Sequence, residues 1–298
     1  MELRPLPGQS WPAFTAGAHI ELHLPGSLVR SYSLVNAPGE THRYVLGILR
    51  EPESRGGSRF VHEQLRIGMR LNISAPRNHF PLHEDAAHSV LVAGGIGITP
   101  ILCMARHLKA LGRSAEVIYL ARSRAHAAFL DELQALGLAL HLHFDSESGG
   151  PPDLQALLAT RVQRSGTHLY ACGPSGLLDR FLAVCEALGQ PHAHIERFSA
   201  APQAAAADAR SRYTVRLHQS GRELSVEPGH SLLQTLLDAG VDVPYSCEEG
   251  ICGTCETRII EGQADHRDSV LTQAEKDSQR SLMVCVSGCK SETLVLDL

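Results

Sequence analysis

The sequence predicts three modules in order: an antiparallel β-barrel, an α/β domain built on a parallel sheet, and a small α+β domain of β-grasp pattern. Three observations predict this. Over residues 1–84, short alternating runs (AHIELHL, VRSYSLV, YVLGILR, MRLNISA) are broken by Gly and Pro, as in a small antiparallel barrel. Over 85–198, strand-like runs (SVLVAGG, AEVIYLA, LALHLHF, THLYAC, HAHIERF) mostly alternate with helical segments, which means a parallel sheet covered on both faces. Over 212–298, strands return around one helix, SLLQTLLDAG, and the segment carries a run of cysteines. Residues 199–211, SAAPQAAAADARS, read as a linker.

With 298 residues, 43% of them hydrophobic and 20% charged, the chain can bury two or three cores. A net charge of −5 leaves no basic footprint, so no nucleic-acid partner is expected. No apolar run reaches eighteen residues, and MELRPLPGQSW lacks the basic and apolar regions of a signal peptide, so neither a membrane partner nor export is expected. Eight cysteines without a disulfide-like framework suit a reducing cytoplasm.

In the first module one short helix is expected near Phe60 to Leu65. RSYSL, Arg30 to Leu34, is by pattern alone an alternating strand, although the planar fork of arginine suits phosphate. Gly56, Gly57, Ser58 and Arg59 precede the short helix and form a candidate phosphate cradle.

The second module opens with AGGIGITP between a strand and an amphipathic helix. Gly94, Gly95 and Gly97 would let backbone approach a diphosphate, Thr99 would cap the helix, and Pro100 suits its first turn. This is not the G-x-G-x-x-G fingerprint, but loops at the carboxyl ends of parallel strands are where such sheets bind nucleotides. ACGPSG, at another strand end, places Cys172 where the sheet opens; alone, Cys172 would read as a small buried residue. His141 and His143, and His192 and His194, form H-x-H pairs. With no accompanying carboxylate cluster, they read as strand histidines and not as ligands.

In the third module Cys247, Cys252 and Cys255 follow the C-x4-C-x2-C spacing of plant-type 2Fe-2S ferredoxins, and Cys285 supplies a distant fourth thiolate. Gly250 and Gly253 provide the turns. Zinc sites usually pair two C-x2-C knuckles and only one short knuckle is present; disulfides would need an oxidising compartment. Cys289 could compete as fourth ligand, but Cys285, ending an apolar strand-like run, fits the ferredoxin pattern better.

GGIGITP followed by CGP resembles the pyridine-nucleotide domain of the ferredoxin-NADP reductase superfamily, and RSYSL resembles its R-x-Y-S flavin signature. The module order, with SRGGSRF and PRNHFPL, is similar to the phthalate dioxygenase reductase family. The resemblance implies FMN, with FAD as the alternative. Tyr32 would lie against its ring, Arg30 would meet its phosphate and Ser33 would stand near its N5, with Ser31, Gly47, Gly56, Gly57, Ser58 and Arg59 completing the site. It also implies that Cys172, Gly173, Pro174 and Thr99 seat the nicotinamide and that Phe198 of HIERFS lies near the flavin. Ser33 and Cys172 are then the catalytic candidates. Arg122, Ser123 and Arg124 stand where the adenosine half would lie; NADH is expected, with NADPH as the alternative. Family members carry another strand before LRPLPG, so the barrel is expected to lack its first strand. The function implied is a monomeric reductase component that passes electrons from NADH through FMN and a 2Fe-2S cluster to a separate Rieske-type terminal oxygenase. The alternatives are an FAD-containing reductase for a different acceptor, or a non-enzymatic redox sensor or electron carrier.

Overall fold

The computed structural model describes residues 1–26, 28–52, 54–162, 165–199 and 212–298. The linker expected at 199–211 lies, apart from Ser199, outside them. The chain divides into two compact units, Met1–Phe198 and Ser199–Leu298.

The first unit begins with β1 (Glu2–Leu3), β2 (His19–Leu24), β3 (Leu28–Ser33), β4 (Tyr44–Val45), α1 (Gly57–Glu63) and β5 (Asn72–Ile73). They pair antiparallel in the orders β3-β2-β5 and β1-β4, and bridges Leu34 to Leu46 and His19 to Arg77 tie the pieces into the barrel. Ile20 and Leu22 point from β2 into the core and are fully buried. The run YVLGILR yields a ladder of only two residues. The Asn36 side chain accepts the Val45 N–H at 2.8 Å, taking the place of a ladder carbonyl.

The same unit continues through β6 (His88–Gly94), α2 (Ile98–Ala110), β7 (Ala115–Ala121), α3 (Leu130–Ala135), β8 (Ala139–Phe144), α4 (Asp145–Ser148), α5 (Leu154–Ala159), β9 (Thr167–Cys172), α6 (Ser175–Ala187) and β10 (Ala193–Glu196). The sheet order is β10-β9-β6-β7-β8 and every pairing is parallel. The chain builds outward from β6 to β8, then returns to β9 on the other side of β6. The crevice between β6 and β9 is therefore the switch point where such sheets take ligands. Successive residues of β6 serve two cores: Val90 and Val92 pack with α5 and α6, whereas Leu91 and Ala93 pack with α2 and with barrel residues Ile20, Leu22 and Leu34. Barrel and sheet thus share one hydrophobic cluster.

The second unit contains β11 (Tyr213–Leu217), β12 (Glu223–Val226), α7 (Leu232–Asp238), β13 (Glu256–Glu261), β14 (Ala264–Asp265), α8 (Gln273–Ser278), β15 (Ser281–Met283), β16 (Gly288–Cys289) and β17 (Thr293–Leu296). Its main sheet runs β12-β11-β17-β13-β15, parallel only between β11 and β17. Leu232, Leu233 and Leu236 of α7 fill its core, and Ser231 caps that helix by accepting the Gln234 N–H at 3.0 Å. A mixed sheet crossed by one helix is the β-grasp arrangement. No helix among the described residues is long and apolar enough to cross a membrane.

Candidate functional site

Two loops meet at the crevice. A Cβ on Gly97 would lie 2.2 Å from the Cys172 carbonyl oxygen, and one on Gly94 would lie 2.5 Å from Leu177 and 2.9 Å from Pro174. Two of the three glycines expected to admit a diphosphate are therefore spent on bringing AGGIGITP against ACGPSG. Gly95, at φ 54°, has open space on its Cβ side. Thr99 does not cap α2. The helix has already begun at Ile98, after a 3-10 turn at Gly95–Gly97, and the buried Thr99 hydroxyl donates to the Ile96 carbonyl at 3.1 Å. Close passage of Gly97 beneath the second loop starts the helix earlier than the cap residue suggested. Tyr119 of β7 steadies the loop by donating to the Gly95 carbonyl at 3.2 Å.

The barrel side supplies β3. Arg30 donates to the carbonyls of Val29 at 2.8 Å and Arg55 at 2.9 Å. Its stem lies against Gly57, where a Cβ would come within 2.6 Å. Gly56 takes φ 94°, the left-handed region, just before α1. Ser58 is buried and held by Ser54 at 2.9 Å and the Glu51 N–H at 3.2 Å, whereas Arg59 is exposed. Ser31 Oγ is buried with no hydrogen-bond partner, and Tyr32 is half-buried, its hydroxyl pKa raised by burial. Gly47 closes the gap to the sheet, since a Cβ there would meet Thr99 at 2.6 Å and Phe129 at 2.7 Å. An orphaned hydroxyl on a strand whose arginine is seated beside two glycines fits a flavin with its phosphate.

Ser33 and Cys172, from different modules, meet through a residue outside the expected site. The Ser33 hydroxyl donates to Glu196 Oε2 at 3.2 Å, and Glu196 of β10 stands in register beside Cys172 of β9. Burial pushes the Glu196 carboxyl up to about 8. Burial first, and Glu196 second, hold the Cys172 thiol well above its ordinary pKa, so it stays protonated and is no thiolate nucleophile. Phe198, two residues beyond Glu196, is 40% exposed. Arg124 of the expected adenosine segment pairs with Glu147 at 2.8 Å and lies 4.7 Å above the Phe144 ring.

In the second unit the four expected cysteines converge. Cys247 lies close enough to Cys252 and Cys285, and Cys255 to Cys285, for the thiols to shift one another's ionisation. These contacts draw the Cys247 and Cys255 thiols below their ordinary pKa and push Cys252 and Cys285 above it. The Glu249 N–H points at Cys247 Sγ at 3.3 Å. Left-handed backbone at Glu248 (φ 58°), Gly250 (φ 68°) and Gly253 (φ 72°) turns the loop, and a Cβ on Gly250 would collide with Val286 at 2.6 Å. Cys285 lies two residues past the end of β15. Cys289 bonds instead to the Ser291 carbonyl at 3.0 Å. Four thiols on one short loop and one neighbouring turn, with a backbone donor aimed at one sulfur, fit a 2Fe-2S cluster.

Residues 215–290 match the 2Fe-2S iron-sulfur cluster binding domain, and residues 69–195 match the N-terminal domain of dimethylamine monooxygenase subunit DmmA-like proteins. The vanillate O-demethylase oxidoreductase of Pseudomonas sp. (strain HR199 / DSM 7063) is 48% identical over 292 residues, covering 96% of this chain and 91% of that protein. The solved structure of phthalate dioxygenase reductase, described as modular for electron transfer from pyridine nucleotides to 2Fe-2S, matches at 39% identity and TM-score 0.70, covering 100% of this chain and 92% of that one. The chain belongs to the phthalate dioxygenase reductase family. Its fold also recurs at TM-score 0.90 and 38% identity in an intact type IV self-sufficient cytochrome P450 monooxygenase, where this chain spans 38% of the longer one. The motifs did not assign a role to Glu196, which links Ser33 to the strand beside Cys172. Its signal was present in HIERFS, but the partner, Ser33, is 163 residues away.

Proposed function

We propose that this chain is the reductase component of a two-component oxygenase system, taking electron pairs from NADH and delivering single electrons through FMN and a 2Fe-2S cluster to a separate Rieske-type terminal oxygenase. It is an NAD(P)H-dependent flavin iron–sulfur oxidoreductase. The observation that carries the reading is the convergence of Cys247, Cys252, Cys255 and Cys285 in a chain whose other unit joins a flavin-type strand to a nucleotide crevice. When bound, a flavin exchanges electrons in pairs with a nicotinamide and singly with an iron–sulfur cluster.

The chain's own residues position and insulate. Arg30 and Gly57 would hold the flavin phosphate, and Ser31 and Ser33 would face its ring. Glu196, protonated up to about pH 8, keeps a proton beside Ser33. Protonated Cys172 and the Gly97 turn would form the floor for the nicotinamide. Glu147, paired with Arg124 at 2.8 Å, puts a carboxylate beside the expected adenosine segment, and its repulsion of a 2′-phosphate favours NADH over NADPH. Names of relatives such as vanillate O-demethylase oxidoreductase and phthalate dioxygenase reductase support an oxygenase as acceptor. Occurrence of the same fold in a cytochrome P450 monooxygenase supports a haem acceptor as the second reading.

The test is the visible spectrum of purified protein, followed by flavin release and chromatography, then electron transfer to a Rieske oxygenase and to a cytochrome P450. An iron–sulfur envelope over a flavin band that bleaches with NADH, release of FMN, and reduction of the Rieske protein are expected. Protein that stays colourless after reconstitution with iron, sulfide and flavin overturns the reading.

A further inference from the structure

Further back along the strands that carry Cys172 and Glu196, three imidazoles converge that have no part in the sites described above. His83 lies on the loop before β6, His168 on β9 and His194 on the edge strand β10, and one ring nitrogen of each lies within 4.8 Å of the others. His168 Nδ1 and His194 Nε2 share a hydrogen bond at 3.1 Å. Ring centroids are 4.9 Å apart for His83 and His168 and 5.0 Å for His83 and His194. The H-x-H pair at 192 and 194 gave only one of the three. Strand pairing supplied the second, because β9 and β10 run parallel with His194 opposite Tyr170, and the loop supplied the third.

The surroundings fix these rings. Tyr170 stacks on His194 at 4.7 Å, and its hydroxyl accepts the backbone N–H of His83 at 2.9 Å, so one buried tyrosine positions both the strand ligand and the loop ligand. His192 stacks flat on His168, at 4.3 Å and 4°. It braces that ring and stands outside the convergent set. The nearest acidic neighbour in sequence, Glu84, is taken by His107 at 2.8 Å.

We propose that His83, His168 and His194 form a binding site for a divalent transition-metal ion, Zn2+ above all, with a solvent molecule in the remaining position. Imidazole nitrogens suit zinc and copper, and hard oxygen-seeking ions such as Mg2+ and Ca2+ have no carboxylate here to bind. Tetrahedral zinc at about 2.0–2.1 Å from each nitrogen requires nitrogens roughly 3.3 Å apart. The His168 to His194 pair already meets that spacing, and the exposed His83 needs only a small ring movement. Metal binding would replace the His168 to His194 hydrogen bond, the donor ring shifting to its other tautomer so that both facing lone pairs meet the ion. Three imidazoles with one open position leave the ion reachable from solvent. Bound there, the ion ties the edge strand β10 to β9 and to the barrel-to-sheet loop. Glu196 lies two residues further along β10, so metal occupancy would stiffen the strand that carries it.

The test is calorimetric titration of untagged, fully cluster-loaded protein with ZnCl2, with the cluster absorbance monitored throughout. One equivalent binding at about 1 µM or tighter is expected, with melting temperature rising as zinc is added. His83→Ala, at an exposed loop position, should weaken binding at least tenfold without disturbing flavin or cluster absorbance. His168→Ala should do the same, and His192→Ala should leave the affinity within about threefold. Cu2+ in place of zinc should give an electron paramagnetic resonance signal split by imidazole nitrogens in the parent protein, with the splitting altered in His83→Ala. No binding at 100 µM ZnCl2, or zinc affinity unchanged in both His83→Ala and His168→Ala, overturns the proposal. Zinc captured by cysteines of a degraded cluster would persist in His83→Ala, and so is told apart.

Discussion

Ser33 on the barrel strand β3 donates a hydrogen bond to Glu196 on the sheet strand β10 at 3.2 Å, joining two modules 163 residues apart in sequence. The bond sits where the flavin signature and the nucleotide crevice meet, beside Cys172. It holds a carboxyl whose ordinary pKa of 4.5 is raised to about 8 by burial.

That shift makes stability depend on pH in a defined direction. The folded protein keeps a proton on Glu196 that the unfolded chain releases, so between pH 4.5 and 8 stability falls as pH rises. Glu196→Gln preserves a partner for Ser33 and removes the ionisation. The variant should lose much of the decline in melting temperature from about pH 5 to about pH 8 and be more stable than the parent by roughly 1 kcal/mol or more at the upper end. Parallel pH profiles for the two proteins would show that Glu196 ionises normally.

Cys252→Ser removes one of the four convergent thiols. The cluster absorbance should be lost, and NADH-dependent reduction of a protein acceptor such as cytochrome c should fall at least a hundredfold. Bleaching of the flavin by NADH, read by stopped-flow absorbance, should stay within about threefold, because Cys252 lies in the other compact unit. Loss of both activities would mean the modules do not work independently.

The cysteine set was legible because iron–sulfur ligation imposes a local spacing on three of its four members, and the parallel sheet because strand and helix periods alternate over a hundred residues. What escaped depends on three-dimensional approach. Thr99 has the chemistry of a helix cap, but nothing in AGGIGITP shows that Gly97 packs so closely on the Cys172 carbonyl that a Cβ would lie 2.2 Å from its oxygen, or that the helix starts early. The short ladder at Tyr44–Val45 depends on an Asn36 side chain nine residues away. Glu196 and the histidine triad are assembled by the register between β9 and β10, which periodicity does not encode.

Gly97 and Gly95 should respond differently to alanine. At Gly97 the new methyl group meets backbone of the second loop, which has little room to yield, and the fold should lose about 2–3 kcal/mol, with weaker NADH binding. At Gly95 the space is open and only the left-handed backbone opposes the change, at about 1 kcal/mol. Thermal melts and NADH titrations of both variants test this; equal losses would mean that loop contact is unimportant.

Arg30 tests the flavin reading at its phosphate end. Its guanidinium bonds to the Val29 and Arg55 carbonyls while its stem covers Gly57, so the group is placed at the start of α1. A planar guanidinium can keep both carbonyl contacts and still present a donor edge to phosphate, whereas a lysine ammonium on a flexible stem cannot do both. Arg30→Ala should therefore lower the flavin retained after gel filtration, read as flavin absorbance per protein, by fivefold or more, and Arg30→Lys should recover only part of it. The cluster absorbance serves as internal control, because Cys247 to Cys255 belong to the other unit. Full flavin occupancy in Arg30→Ala would remove the phosphate role from this residue and shift it to the backbone at Gly56 and Gly57.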